Sequence, residues 1–473
     1  MAEEAAIIAR VLASVLEVDA AAWNALLARQ SHPTPFVRHE YLAALEASGS
    51  ATPRTGWAPR FMTLWEGDTL VGACPLYLKS HSYGEYVFDW AWASAYEQHG
   101  VPYYPKAVIA VPFTPVPGSR LLARDDATRA LLLRAVQQWC EEEGISSAHL
   151  LFGSDADLQA GSSQAWMQRQ TVQFHWKNVA PTLGTAVSSL PPEGALAALG
   201  RPSGGSVAPT LGTAVSSLPP EGALAALGRP GGGSVAPTLG TGVSSLPPEG
   251  ALAGGSGGRF ENFDHFLSTL TQDKRKKIRQ ERRRVAEAGV AFRWARGTDI
   301  CAADWDFFYR CYERTYLEHG NPPYLTRDFF ARMAAQLPGA WLLFVAEREG
   351  QPIASSLIAV SARQSSVRGK NDQELVAYGR YWGALERVDC LHFEACYYQP
   401  LQWCIEHGVG RFEGGAQGEH KMARALLPVQ TCSAHWLAHP AFADAVERFL
   451  DRETQGVQHY LEELHRRSPF RAG

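Results

Sequence analysis

Each thing this 473-residue chain lacks removes a class of function. Its eight cysteines (Cys74, Cys140, Cys301, Cys311, Cys390, Cys396, Cys404, Cys432) form no CxxC pair. That removes thiolate zinc sites of that spacing and thioredoxin-like redox pairs, and the thiols read as reduced, buried, small hydrophobes. HExxH is missing, so no helical histidine pair is set for zinc, and no metal is expected. Excess charge is missing too: the net charge is −4, so any recognition of a polyanion must be local. No apolar run is long enough to cross a bilayer, and the opening MAEEAAIIARVL has no basic leader. A cytoplasmic protein is the expectation.

What the chain has in unusual supply is a repeat. VAPTLGTAVSSLPPEGALAALGRP opens at Val179 and again at Val207, and a third, decaying copy opens at Val235, a period of 28 residues. The copies are nearly identical at every position, unlike a repeat fold that keeps only its apolar positions. Residues Val179 to Gly258 hold no aromatic and few charges. They cannot bury enough apolar area to offset chain entropy, so a flexible insert is expected there.

On either side of the insert the chain repeats itself in a different way. RFMTLWEGDTLVGACPLYL and WLLFVAEREGQPIASSLIAV both read as strand, Glu-Gly turn, strand. QWCEEEGISSAHLLFG and QWCIEHGVGRFEGG both read as the end of a helix, a Gly cap (Gly144, Gly408) and a strand closing in glycine. Two matched elements in one order predict an internal duplication: α/β architecture, each half a mainly antiparallel sheet flanked by helices. The expected division is 1–178, the insert 179–258, a second domain 259–445 and a helical tail 446–473.

Several stretches sharpen this: PLYLKSHSYGEYVFDWAWASAYEQHGVPYYPK, PFTPVPGSR, QFHWKN, KRKKIRQERRRV, YLEHGNPPYLT, YGRYWGA, LHFEACYYQ and FEGGAQGEHK. In these the chain resembles a bacterial family of FemAB-like N-acyltransferases, over nearly its whole length apart from the insert. The resemblance implies two tandem domains of the GNAT acyltransferase fold. It leaves the donor open, because FemAB-type enzymes proper transfer aminoacyl groups from charged tRNA to peptidoglycan precursors, whereas most GNAT enzymes use acyl-CoA. The superfamily's phosphate-cradling loop, Q/R-x-x-G-x-G/A, would fall at Thr114–Leu121 and at Gly379–Asp389, and neither segment fits it. Arg120, Arg380 and Tyr381 remain candidates for donor or substrate contact, with a turn arginine in a surface ion pair as the plain reading of each arginine.

KRKKIRQERRRV reads as a helix docked by Leu267, Leu270, Ile278 and Val285. Its flanks carry Lys274, Arg275, Lys277, Arg279 and Arg282, a strip that suits a polyanion: tRNA, a diphosphate or CoA. A solvated face is the plain reading, and no stacking aromatics are interleaved with it. In LHFEACYYQ, Glu394 shares a helix face with Tyr398 and is a further candidate contact. FEGGAQGEHK follows a strand and collects the groups that amine acylation needs: a base for the ammonium and donors for the oxyanion. Glu413, Glu419 and His420 are the candidate catalytic groups here, and Gln417, Lys421 and Arg424 the candidate substrate contacts. A structural reading stays open beside this one, with Glu419 as a cap on a following helix, MARALL, and His420 as a packing residue. In the first half, Glu85, Asp89, Tyr96, His99, Tyr103, Tyr104 and Lys106 read as an acceptor groove or as core. The function expected is an N-acyltransferase that moves an acyl group, with acyl-CoA as donor, onto a small-molecule or peptide amine. The alternatives are an aminoacyl-tRNA-dependent transferase acting on a peptidoglycan precursor, and a peptidoglycan- or RNA-recognition protein without chemistry.

Overall fold

The computed structural model describes residues 6–180, 258–364, 373–416 and 418–471. Of the insert expected to be flexible, residues 181–257 lie outside the described residues.

The first half opens with β1 (Ile7–Leu12), α1 (Ala20–Ala28), α2 (His39–Ala47) and β2 (Trp57–Pro59). The hairpin β3 (Phe61–Glu66) and β4 (Thr69–Cys74) follows, then β5 (Leu76–Lys79), α3 (Trp90–Gln98) and β6 (Lys106–Ile109). After β7 (Leu122–Ala123) come α4 (Asp126–Glu142), β8 (Ser147–Leu150), α5 (Asp155–Ser163) and β9 (Met167–Lys177). The second half starts with α6 (Phe263–Ser268), α7 (Gln272–Glu287), β10 (Val290–Arg296), α8 (Ala302–Glu318) and α9 (Arg327–Gln336). Its long strands are β11 (Trp341–Arg348), β12 (Gln351–Gln364) and β13 (Gln373–Ala384). They lead to α10 (Leu391–Phe393), a π-helical turn (Glu394–Tyr398), α11 (Gln399–Glu406) and β14 (Arg411–Ala416). A 3-10 turn (Glu419–Arg424), β15 (Leu427–Leu437) and α12 (Pro440–Arg466) close the chain.

Both Glu-Gly turns close antiparallel hairpins as expected: β3 pairs with β4 and β11 with β12. Gly144 and Gly408 follow α4 and α11 in the left-handed conformation that only glycine adopts without cost. The α/β class and the repeated element order are therefore as the sequence implies. The layout of the strands is less local. A four-stranded sheet runs β1-β3-β4-β7, and an eleven-stranded sheet runs β10-β11-β12-β13-β14-β9-β15-β8-β6-β5-β2. Strand β9 of the first half lies between β14 and β15 of the second, and β15 pairs onward with β8. The halves also share a core: Phe36 meets Tyr378 edge to face at 5.4 Å, and Tyr41 meets Phe329 at 5.2 Å. Such aromatic contacts add to the burial of large apolar rings.

Two local readings change. Gly379–Ala384, expected as part of a loop, is strand, because it pairs with β12 to its end. Gly383 is needed there, since a Cβ would lie 1.9 Å from the Cys311 carbonyl oxygen of α8. MARALL is not a helix; the 3-10 turn ends at Arg424, Ala425 turns left-handed, and β15 begins at Leu427. The cysteines are all unpaired, but Cys301 is exposed and Cys390, Cys396 and Cys432 are only half-buried. No described helix is long and apolar enough to cross a membrane.

Candidate active site

The large sheet opens at Glu413. Strands β13 and β14 pair in parallel from Val376–Arg411 to Tyr378–Glu413, and the pairing of β14 with β9 shifts register just after Glu413. Gly414 carries the chain through this opening; a Cβ there would lie 2.3 Å from the Leu426 side chain and 2.8 Å from the Phe174 carbonyl. Lys421, brought back by the 3-10 turn, is buried and donates to the carbonyls of Gly414 at 2.7 Å and Gly415 at 3.3 Å. Burial pushes its ammonium down to about 8, because a low-dielectric site disfavours the charged form.

Beneath Lys421 lies a charged floor. Arg424 is buried, donates to Glu281 of α7 at 2.8 Å and to the His420 carbonyl at 2.6 Å, and lies 3.5 Å over the Phe393 ring. Glu281 also accepts from the Tyr398 hydroxyl. The π-helical turn is what makes this possible, since it re-aims Tyr397 and Tyr398 one position out of the α-helical register. His420 meets the Tyr397 hydroxyl at 3.2 Å, and His392 packs on Tyr397 and Trp382. Burial, with the nearby His420, Arg424 and Lys421 charges, pushes His392 down to about 4. His392 is thus a neutral imidazole among cations.

Glu394 lies beside this floor. It accepts from Arg282 at 3.1 Å and Gln399 at 2.8 Å, and all three line a cavity of about 330 Å3 with Arg283, Val285 and Phe292. Along α7, Ile278 and Val285 are buried with Leu267 and Leu270, as the sequence pattern predicts. Lys277 and Arg279 are exposed, while Lys274 and Arg275 are half-buried. Arg279 reaches Asp264 only at 3.5 Å, an exposed contact worth little.

The other candidates are scattered. Glu419 is exposed, accepts from Tyr460 at 3.1 Å and pairs with Arg467 at 3.0 Å, which ties the turn to α12 and points away from Lys421's partners. Gln417 lies outside the described residues. Arg120 is buried and donates to the Val116 and Gly118 carbonyls at 2.6 and 3.2 Å, so its charge holds a loop. Arg380 is half-buried where the halves meet and donates to the Phe113 carbonyl, Thr114 and the Tyr381 hydroxyl at 3.0, 3.2 and 3.2 Å. Its neighbours Tyr86 and Phe113 both hold positive φ, a strained backbone that is retained where surroundings over-determine it.

The polar cluster of the first half is core rather than groove at its centre. Lys106 is fully buried, donates to Glu85 and Ser82 at 2.8 Å, and also pairs with Asp89, which accepts from Tyr103 at 2.6 Å. Across the seam, His149 of β8 and His435 of β15 meet Nδ1 to Nδ1 at 2.8 Å. Glu281, His149, His435 and His175 were not singled out from sequence. A lone acid in a basic run and single histidines in strands carry no local signal; only strand and helix packing brings their partners to them. Among the described residues no group of three His, Cys, Asp or Glu is placed to hold a metal.

A family model described as FemAB-like, peptidoglycan biosynthesis/recognition, matches residues 14–181 and 256–472. No curated protein matches the chain. Among solved structures, FemX is 8% identical with a TM-score of 0.46, over 91% of this chain and 98% of its own. L-PGS from Bacillus licheniformis is 10% identical with a TM-score of 0.43, over 91% and 97%. A tandem GNAT protein from the clavulanic acid biosynthesis pathway is 10% identical with a TM-score of 0.38, over 92% and 99%.

Proposed function

The chain belongs to the FemAB-like family of peptidoglycan biosynthesis and recognition, and from that premise we propose that this transferase moves an aminoacyl group from charged tRNA to an amine of a peptidoglycan-precursor peptide. The observation that carries the reading is the tie between α7 and the sheet opening. The helix that exposes Lys277 and Arg279 also sends Glu281 down to Arg424, one turn from Lys421. A polyanion laid along α7 would bring its end to the buried Lys421. Acyl-CoA, the donor expected first, has less in its favour. The segment before α10, Leu385–Cys390, holds no glycine, and its last residue turns left-handed without a side-chain cap, so it offers no ring of N–H groups for a pyrophosphate.

In this mechanism the acceptor amine attacks the ester carbonyl carbon of the aminoacyl-tRNA. Glu413, in β14 where the parallel pairing with β13 ends, takes the proton that the nitrogen loses as the C–N bond forms. Lys421 stabilises the negative charge on the tetrahedral oxygen. The C–O bond to the terminal ribose then breaks, and the ribose oxygen leaves as a hydroxyl with the proton that Glu413 took, which returns Glu413 to its carboxylate form. Arg424, Glu281 and Tyr398 position Lys421 without touching the reacting atoms.

The test is transfer of a radiolabelled amino acid from charged tRNA to a soluble precursor peptide, run beside acyl-CoA donors. Label in the peptide from tRNA alone is the expected result. Transfer from acyl-CoA and none from tRNA would overturn the donor assignment. No transfer from either donor, with tight binding of the peptide, would make the chain a recognition protein.

A further inference from the structure

The groove between α7 and β10 takes no part in the mechanism above. β10 is the outermost strand of the eleven-stranded sheet, and its side chains alternate between the two faces. Arg293 turns to Asp304 of α8 at 2.6 Å. Val290 and Phe292 turn the other way and line the 330 Å3 cavity with Arg283, Ala286, Glu394 and Gln399. That volume lies at the small end of ligand pockets, about 300–1,000 Å3, and suits a single planar ring system. Trp294, two residues further on the same face, is 48% exposed and meets Trp403 and His407 edge to face at 6.1 and 5.5 Å. The basic run of α7 contains no aromatic residue, but β10 sets two beside it. Arg283 stands exposed at the rim and reaches Glu287 only at 3.7 Å, a surface contact worth little. Rings on which a base can stack, beside cations that can meet its phosphate, are the two parts by which proteins hold single-stranded nucleic acid.

The wall of the cavity selects among bases. Glu394 is buried and its carboxylate is held in place by Arg282, which is itself fixed by Gln402 at 3.0 Å and lies 4.7 Å over the Phe263 ring. Oε1 accepts from Arg282 and Gln399, while Oε2 accepts only from Arg282, at 3.3 Å, among the described residues. A carboxylate can only accept, so it favours a base with an exocyclic amino group over one with a carbonyl oxygen there. Position along α7 narrows the choice further. The Lys277 charge bears on His420, next to Lys421, and Arg283 lies six residues on, about 9 Å along the helix. With the aminoacylated adenosine at Lys421, the cavity falls to a nucleotide before it in the C-C-A end that tRNAs share.

We propose that this cavity is a subsite for a cytosine of the single-stranded tRNA end, stacked on Phe292, with its amino group donating to Glu394 and its phosphate at Arg283. The assignment rests on the tRNA-donor reading above and names how the end of that donor is held.

The test is fluorescence anisotropy of the full chain with two end-labelled RNA tetranucleotides, ACCA and AUUA, at one salt concentration. Their phosphates are equal in number, so the strip on α7 contributes equally to both. ACCA should bind about tenfold tighter, the scale of one base contact read by a carboxylate. Phe292→Ala should weaken ACCA about tenfold, the scale of one stacked base, and Glu394→Gln should bring the ratio of the two affinities to about one. Equal binding of the two oligomers, binding of neither, or a ratio unchanged in Glu394→Gln overturns the subsite. If either variant fails to fold, the two oligomers on the unaltered protein still decide. No transfer is measured here, so equal binding removes the subsite and leaves tRNA-dependent transfer standing. Selective binding of ACCA by a chain that transfers nothing from charged tRNA would remove the catalytic reading and keep the subsite.

Discussion

Lys421 is an ammonium held where an ammonium is costly, and its chemistry can be read from pH. Its folded pKa, about 8, lies below the ordinary value of 10.5. The charged form that would stabilise an oxyanion is therefore present below about 8 and is lost as pH rises through it. Transfer rates should fall on the alkaline side of that value. Lys421→Arg, which keeps its charge, should shift the falling limb upward, and a limb that stays near 8 in the variant would assign it to another group. Lys421→Met should cost about 10²-fold in turnover with the fold intact, the scale of a lost oxyanion donor. An unchanged rate would remove Lys421 from the mechanism.

Between elements, the informative contact is Glu281 with Arg424, since it fastens α7 to the turn that carries Lys421. Both side chains are buried, so removing one strands the other's charge. Glu281→Gln should lower unfolding free energy by about 3 kcal/mol, whereas replacing both by methionine should recover much of the loss. Chemical denaturation of the single and double variants checks this, and a double variant weaker than the single would show that the pair itself stabilises the fold. The outer face of α7 has a different task. Lys277→Ala with Arg279→Ala should leave stability unchanged and flatten the salt dependence of tRNA binding by about two charges' worth. If the slope holds, the strip is only a solvated face. Sequence periodicity located that helix and its buried stripe. It missed Glu281 as a buried partner, because nothing local distinguishes one acid among eight basic residues.

The whole molecule is stitched by strands that cross between halves, and two consequences follow. His149, His435 and His175 are buried at those crossings, and burial depresses the pKa of each below its ordinary value of 6.5, to about 3 for His149 and His175. A base whose folded pKa is depressed favours the fold above its unfolded pKa, and that contribution is lost as pH falls from about 6.5 toward 3. Denaturation midpoints should therefore drop between pH 7 and pH 4, and His149→Gln should flatten the drop; an unaltered profile would place the acid sensitivity elsewhere. The second consequence concerns the ends of the repeat insert. The Ala180 amide donates to the Gly258 carbonyl at 2.9 Å, and the Phe260 amide donates to Asn178 at 3.0 Å. Since those ends already meet, replacing residues 181–257 with a short Gly-Ser linker should change the melting temperature little, as closure entropy varies only slowly with loop length. A large fall in melting temperature would show that the segment is structural.

The sequence by itself determined the elements and their order. The hairpins at Glu66-Gly67 and Glu349-Gly350, the caps at Gly144 and Gly408, the docked stripe of α7 and the glycine-rich exit from β14 all follow from periodicity and turn chemistry, which act over a few residues. Only the tertiary structure decided which groups share a site. It buried Lys421 and left Glu419 in solvent two residues away, and it turned Gly379–Ala384 from loop into strand against β12. It also set His175 opposite Glu413 by slotting β9 between β14 and β15. Those outcomes depend on pairing and packing beyond the local window, with a neighbouring strand for Gly379–Ala384 and with a segment of the other half for Glu413, and burial and charge at each position are fixed by neighbours that the local pattern does not reveal.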